Sequence, residues 1–220
     1  MSPAPRVKKK RRLWITAYAP DILGGMDKPL AKVLCTTPSD LINRVITIKG
    51  TEFTRDFEDR GMNLYFRIIK VTPAGAQTTL IGHDYSREII SSKVRRRMSR
   101  VESIIRVYTK DGHRVKVSIL AMTAHRCNYT HKKEIRKIFE KIILEKAKNY
   151  EYEEFIYNLA IRKAWHGEMI KKANKIYPIR EFLVYKSKAE TVIVPPDEID
   201  KAVEGEEEVE KRAETYVVRR

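Results

Sequence analysis

The chain has 220 residues, with 45 Lys+Arg against 29 Asp+Glu, a formal charge of +16 and 42% hydrophobic residues. That hydrophobic share is too high for a wholly disordered polyelectrolyte, and the length suits one domain, with tails, that buries roughly 70% of its unfolded surface. No uncharged apolar run of about 18 residues occurs, which excludes a membrane-spanning helix.

The start, Met1 to Arg12, carries positive charge with no apolar stretch behind it, so no secretory signal is expected. Cys35 and Cys127 are too few and too far apart for a disulfide framework, which fits a reducing cytosolic setting. With Pro3, Pro5 and no apolar periodicity, residues 1–12 read as a flexible basic arm. Leu13 to Tyr18 is a β-prone run stopped by Pro20, and Gly24-Gly25 with Pro29 marks a loop. Thr37-Pro38-Ser39-Asp40 has the order of a helix start, with Thr37 as N-cap and Pro38 at the first helical position. The helix should be short, because Val45-Ile46-Thr47-Ile48 is β-branched and ends at Gly50.

Asn63 to Thr72 reads as a strand, Pro73-Ala74-Gly75 as its turn and Gln77 to Ile81 as its return. Ser86 should cap a helix through Arg87 to Arg97, with Ile89, Ile90 and Val94 as its buried stripe. Ile104 to Lys110 and His113 to Met122 flank Asp111-Gly112, the dipeptide of a two-residue type I′ hairpin turn. The period then becomes helical. Ile135, Ile138, Phe139, Ile142, Ile143 and Ala147 form one stripe, capped at Thr130, and Tyr152, Phe155, Ile156, Leu159, Ala160 and Ala164 form the next. Only Asn149-Tyr150-Glu151 separates them, so an antiparallel pair or a kinked rod is expected, with a third helical stretch from Ala164 to Lys175. Ile179 to Tyr185 and Thr191 to Val194 read as strands, closed by Pro195-Pro196.

This order predicts an α+β fold: a mostly antiparallel, barrel-like β core with two or three packed helices and flexible charged termini. Residues 13–194 form a single RNA-binding domain in this reading, between the basic arm 1–12 and an acidic mobile tail, 195–220.

No constellation supports catalysis. His83-Asp84-Tyr85-Ser86 has the right residue types for a triad, but neighbours in sequence seldom supply its geometry, and no Gly-x-Ser-x-Gly turn accompanies them. His125, Cys127 and His131, with distant Cys35, match no zinc spacing, and no phosphate-cradling glycine loop occurs. No enzyme activity, metal or cofactor is expected.

Charge distribution carries the functional signal. Residues 195–220 hold nine acids and five bases, net −4, which leaves +20 on residues 1–194. The excess concentrates in Arg6 to Arg12, in Arg87 to Arg100 and along His131 to Lys148. One such run is ordinarily a solvated face, and Lys8-Lys9-Lys10-Arg11-Arg12 alone could be a nuclear address. Three runs together are what a phosphate backbone rewards, through counterion release. An anionic membrane fits less well, because no basic segment pairs its charge with a broad apolar face.

The candidate RNA-binding residues are therefore Lys8, Lys9, Lys10, Arg11 and Arg12 on the arm, with Trp14 beside it to stack on a base. Arg87, Lys93, Arg95, Arg96, Arg97 and Arg100 set six bases against Glu88 alone, and Lys93, Arg96, Arg97 and Arg100 would share one helical face. Lys132, Lys133 and Arg136, followed by Lys137, crowd the first turns of the long helix, where the dipole disfavours cations and a bound polyanion would relieve the conflict. RRM, KH and helix-turn-helix signatures are missing, and arms with isolated arginine clusters suit folded RNA rather than base-edge readout of DNA.

Gly82-His83-Asp84-Tyr85-Ser86-Arg87 leading into Val94-Arg95-Arg96-Arg97-Met98-Ser99-Arg100 resembles the signature of the archaeal and eukaryotic small ribosomal subunit protein 3a family. Trp14 to Pro20, Leu64 to Ile68, Thr109 to Gly112 followed by Val115-Lys116-Val117, and Ile135 to Ile138 occur in the family's order, covering about residues 12–187. Met98 stands where the family pattern has a threonine. The short chain is similar to the archaeal form. The resemblance implies a structural protein in the cytoplasmic ribosome, holding small-subunit rRNA near the platform and the mRNA exit. Neighbouring ribosomal proteins would be its partners, with mRNA and initiation factors as further contacts. The alternative is a free RNA-binding chaperone or translation-associated factor not built into the ribosome.

Overall fold

The computed structural model describes residues 13–193 apart from Arg55 and Pro73, with the side chains of Pro38, Ser39, Glu58 and residues 191–193 left out. The arm candidates Lys8, Lys9, Lys10, Arg11 and Arg12 and the acidic tail lie outside the described residues. Contacts divide the chain into two compact units, one of residues up to Ile48 with Tyr65–Leu80, the other of Lys49–Leu64 with Ile81 onward.

In the first unit, β1 (Leu13–Tyr18) pairs antiparallel with β2 (Pro29–Cys35) in the register Leu13↔Cys35 to Ala17↔Ala31. Two 3₁₀ turns, Asp21–Leu23 and Gly25–Asp27, connect them where the glycines and prolines predict a loop. The expected helix after Thr37 is a single 3₁₀ turn, Pro38–Leu41. Its start signal works locally: the Thr37 N–H donates to the Asp40 carboxylate at 3.2 Å, and the Asp40 N–H donates to the Thr37 carbonyl at 3.1 Å. Propagation fails because Asn43 turns left-handed (φ 66°) and the β-branched run enters β3 (Val45–Lys49).

Two long strands, β4 (Met62–Thr72) and β5 (Gly75–Tyr85), run through both units, and β4 pairs with β3 and β5. Met62, Leu64, Phe66 and Ile68 alternate into the core with no exposure, as a half-buried strand requires. The start of β5 pairs parallel with β1 at Ala17↔Ala76. Ala17, Val33, Cys35, Leu41, Ile68 and Ala76 form this unit's core, with Ile15, Ile46 and Val71 packed on it.

The second unit carries the strand path β5–β8–β7–β6, with β6 at Arg100–Tyr108, β7 at His113–Thr123 and β8 at Ile179–Ile193. The β6–β7 hairpin is the expected one, but its turn is not type I′. The Gly112 N–H donates to the Thr109 carbonyl at 2.9 Å and the Thr109 N–H to the His113 carbonyl at 3.0 Å, with Gly112 alone left-handed (φ 74°). This is a three-residue loop with a glycine bulge, which spares Asp111 the positive φ that type I′ demands. β8 is one strand rather than two. Lys186 to Lys188 fill the expected gap because β5 lies on one side and β7 on the other, both antiparallel.

Five α-helices lie among the described residues: α1 (Gly50–Thr54), α2 (Arg87–Lys93), α3 (Tyr129–Asn149), α4 (Tyr152–Ile156) and α5 (His166–Asn174). α3 starts after an extended Asn128, not at Thr130, and buries Ile135, Phe139, Ile142, Ile143 and Ala147. α4 opens on Phe155 and Ile156 but widens into a π turn over Tyr157–Ile161, where the Arg162 N–H reaches the Tyr157 carbonyl at 3.0 Å. Lys163 then turns left-handed (φ 51°), so Ala164 is exposed and leaves the expected stripe. The α+β, mostly antiparallel class expected from the sequence holds; among the described residues the strands follow the path β2–β1–β5–β8–β7–β6, with no pairing between its two ends.

Candidate nucleic-acid interface

The arginine-rich segment departs from its expected helix. α2 stops at Lys93 after seven residues, with Val94 extended (φ −82°, ψ 123°) and Arg97 left-handed (φ 63°). Ser91, Ser92 and the β-branched Val94 are weak helix formers, and a two-turn helix has little length over which to recover its nucleation cost. Lys93, Arg96, Arg97 and Arg100 therefore do not share a helical face. Nor do Ile89, Ile90 and Val94 form a buried stripe: α2 has no buried residue and Val94 is 48% exposed.

What results is a short arginine turn pinned at both ends. On one side the Lys93 ammonium meets the Glu181 carboxylate at 2.8 Å. On the other, the Ser99 N–H donates to Thr123 Oγ1 at 3.0 Å, the Thr123 N–H returns to the Ser99 carbonyl at 3.1 Å, and the Cys127 N–H donates to Ser99 Oγ at 3.2 Å. Between these anchors Arg95, Arg96 and Arg97 are exposed and make no ion pair or hydrogen bond to the described residues; Arg87 is likewise exposed. Of the six predicted bases, Lys93 and Arg100 alone are engaged by described residues, Arg100 with Glu102 at 3.0 Å.

The second predicted cluster reaches the same strand. Arg136 is half-buried, and its Nε donates to the Glu102 carbonyl at 2.9 Å, while Arg100 holds the Glu102 carboxylate. Arg100 and Arg136, 36 positions apart, thus meet at one residue of β6. Lys133 and Lys137 are exposed and Lys132 is half-buried; the first turn of α3 contains no acid. The dipole conflict expected at this helix start is therefore present.

Trp14 belongs to the other unit. It is 68% exposed on β1, at a groove of about 470 Å³ shared with Ile15, Val71, Thr72 and Ala74.

His83 and Asp84 are engaged within the fold. His83 is buried between β5 and β8: Nε2 lies 2.9 Å from the Val184 carbonyl, which can only accept, so Nε2 carries the proton. Nδ1 then accepts from the Ser187 hydroxyl at 2.6 Å. Burial holds its pKa down at about 4, with the Val184 bond opposing. Asp84 is spent on Lys186 at 3.0 Å. Among the described residues no group of three His, Cys, Asp or Glu is placed to hold a metal ion.

One grouping is invisible along the sequence. Arg106, Lys116 and Lys188 stand directly opposite one another on β6, β7 and β8. They are 82 positions apart end to end, so no window along the chain collects them. Only the strand register does.

The sequence model of the Ribosomal S3Ae family matches residues 6–192. The chain is 36% identical over 196 residues to the small ribosomal subunit protein eS1 of Staphylothermus marinus, covering 87% of this chain and 89% of that one. It is 35% identical over 191 residues to the protein of the same name from Desulfurococcus amylolyticus, covering 87% of each. To that of Methanococcus vannielii it is 32% identical over 202 residues, covering 90% of each.

Proposed function

The chain belongs to the Ribosomal S3Ae family, and from that premise we propose that it is a structural constituent of the small ribosomal subunit that holds ribosomal RNA by neutralising its phosphates. The observation that carries this reading is likeness along nearly the whole length, to relatives named as a small ribosomal subunit protein in three archaea. The chemistry supports it. Arg95, Arg96 and Arg97 sit on a pinned, exposed turn with their planar forks unspent, the state in which arginine binds phosphate bidentately at low desolvation cost. The arm residues Lys8 to Arg12 add charge, and Trp14 adds a stacking surface.

In this reading the partners are small-subunit rRNA and neighbouring ribosomal proteins in the cytoplasmic ribosome, near the platform and the mRNA exit, with mRNA and initiation factors within reach. The location follows from the family resemblance; the phosphate-binding role has the arginine turn behind it. The reading includes no turnover, since His83 and Asp84 are already committed to internal partners. No described helix is long and apolar enough to cross a membrane.

Sucrose-gradient sedimentation of cell extract in moderate salt tests it. The chain should travel with small subunits and leave them as salt rises. Recovery at the top of the gradient in low salt, with the subunits intact, would instead mark a free RNA chaperone.

A further inference from the structure

The face of β6, β7 and β8 that carries Arg106 can be followed row by row. Residues facing one another across antiparallel strands project to the same side, and alternate residues share a face. On the covered side Val101, Ile105, Val107, Val115 and Val117 are buried, and Phe182 of β8 meets Phe139 of α3 at 5.3 Å. On the other side Tyr108, Ser118, Leu120 and Met122 are buried, whereas Arg100, Ile104, Arg106, Arg114, Lys116, Lys186 and Lys188 are exposed or half-buried.

Each cation on this face but three has an acid. In the row Tyr108–Arg114–Glu190 the Arg114 Nε meets Glu190 at 3.3 Å. In the row Ile104–Ser118–Lys186, which continues to Asp84 on β5, Lys186 meets that carboxylate at 3.0 Å. Arg100 has Glu102 on its own strand at 3.0 Å. Between the two paired rows lies Arg106–Lys116–Lys188, whose next position on β5 is Gly82, which has no side chain to contribute. None of these three has an ion pair or hydrogen bond to the described residues. Strands lie about 4.8 Å apart, so three like charges stand within about 10 Å, an arrangement that is destabilising in isolation.

We propose that this row is a second RNA surface, binding the phosphodiester backbone across the strands separately from the arginine turn; the inference rests on the RNA-binding reading above. Charge complementarity selects the occupant. A nucleic-acid backbone presents closely spaced charges that can answer three adjacent cations at once, with counterions released at each. A protein partner fits less well, because interface cores are depleted of lysine and enriched in aromatic and other apolar groups. Here two of the three residues are lysines, and the exposed apolar side chain on the flanking row is Ile104 alone. Three adjacent cations suit backbone contact and not sequence readout.

The test compares three full-length chains, wild type, R106Q/K116Q/K188Q and R95A/R96A/R97A, binding purified small-subunit rRNA over a range of salt, with thermal unfolding measured alongside. The row variant should lower the log–log salt slope by roughly 2 to 3, at about 0.7–0.9 for each phosphate left without its cation. It should unfold no earlier than wild type, because a repulsion has been removed. A row variant that keeps the wild-type slope overturns the proposal, whether it still joins small subunits or fails to join them because a protein neighbour no longer docks; so does one whose slope falls only through early unfolding. In each of those cases the arginine-turn variant still reports on RNA binding as such. Failure of the wild type to bind rRNA would be the separate failure of the reading beneath it.

Discussion

A buried imidazole is a pH-dependent element of this fold. His83 is held at about 4 by burial, and His166 is held at about 4 by burial and by the Lys163 charge. Unfolding returns both towards 6.5, so the unfolded chain takes up protons first as the medium is acidified. The stability that rests on the neutral rings is complete above about pH 6.5, falls between 6.5 and 4, and changes no further below that. Between pH 7 and pH 5 each ring should forfeit about 2 kcal/mol, read as a lower urea midpoint, and His83→Gln should weaken that dependence. Gly82, next along β5, is required for a different reason. A Cβ there would lie 2.1 Å from the Ser187 carbonyl oxygen, which belongs to backbone and cannot swing aside. Gly82→Ala should therefore cost about 3 kcal/mol or more in chemical denaturation by forcing β5 and β8 apart. The Gly82-His83 pair quoted for the family resemblance thus acquires a packing explanation: one residue permits the strand approach, and the other closes its hydrogen bonds.

At the scale of elements, the segments with strong periodicity fold as their pattern dictates. α3 buries the stripe its spacing predicts except for Ile138, which is half-buried, and truncating its largest member, Phe139→Ala, should lower stability by about 3–5 kcal/mol in urea melts, since it sits unexposed against Phe182. β4 and the β6–β7 hairpin are equally readable, because alternation and a glycine turn are local properties. Elements whose ends depend on neighbours are not. Within Arg87 to Arg97 only the weak helix formers Ser91, Ser92 and Val94 hint at a stop, and they do not place it; the Lys93–Glu181 contact and the Ser99–Thr123 pairing, 88 and 24 positions away, hold the chain where the helix ends. The helical spacing of Lys93, Arg96, Arg97 and Arg100 is consequently the wrong frame. β8 departs in the opposite direction: Lys186-Ser187-Lys188 looks too polar for a strand, yet two flanking strands supply its ladder, and its lysine side chains face outward.

For the molecule as a whole, phosphate contact should make RNA affinity steeply salt-dependent. About eight contacted phosphates give a log–log slope near −6, and R95A/R96A/R97A should flatten it by roughly 2 to 3 while leaving the unfolding midpoint in place, because those side chains hold nothing else among the described residues. The sequence by itself determined the quantities that add up along a chain: a +16 charge, its concentration in three runs, the helical and alternating apolar patterns, and a motif string that resembles one family. It also settled the α+β class, since period and turn chemistry are written within a few residues of each other. Tertiary structure alone decided which cations are spent and which are free. An ion pair such as Lys93–Glu181, or a row such as Arg106–Lys116–Lys188, exists only once strand register has brought distant residues opposite one another. Register is set by packing and backbone pairing over the whole sheet, and Coulomb energy acts on distance in space, to which separation along the chain is a poor guide.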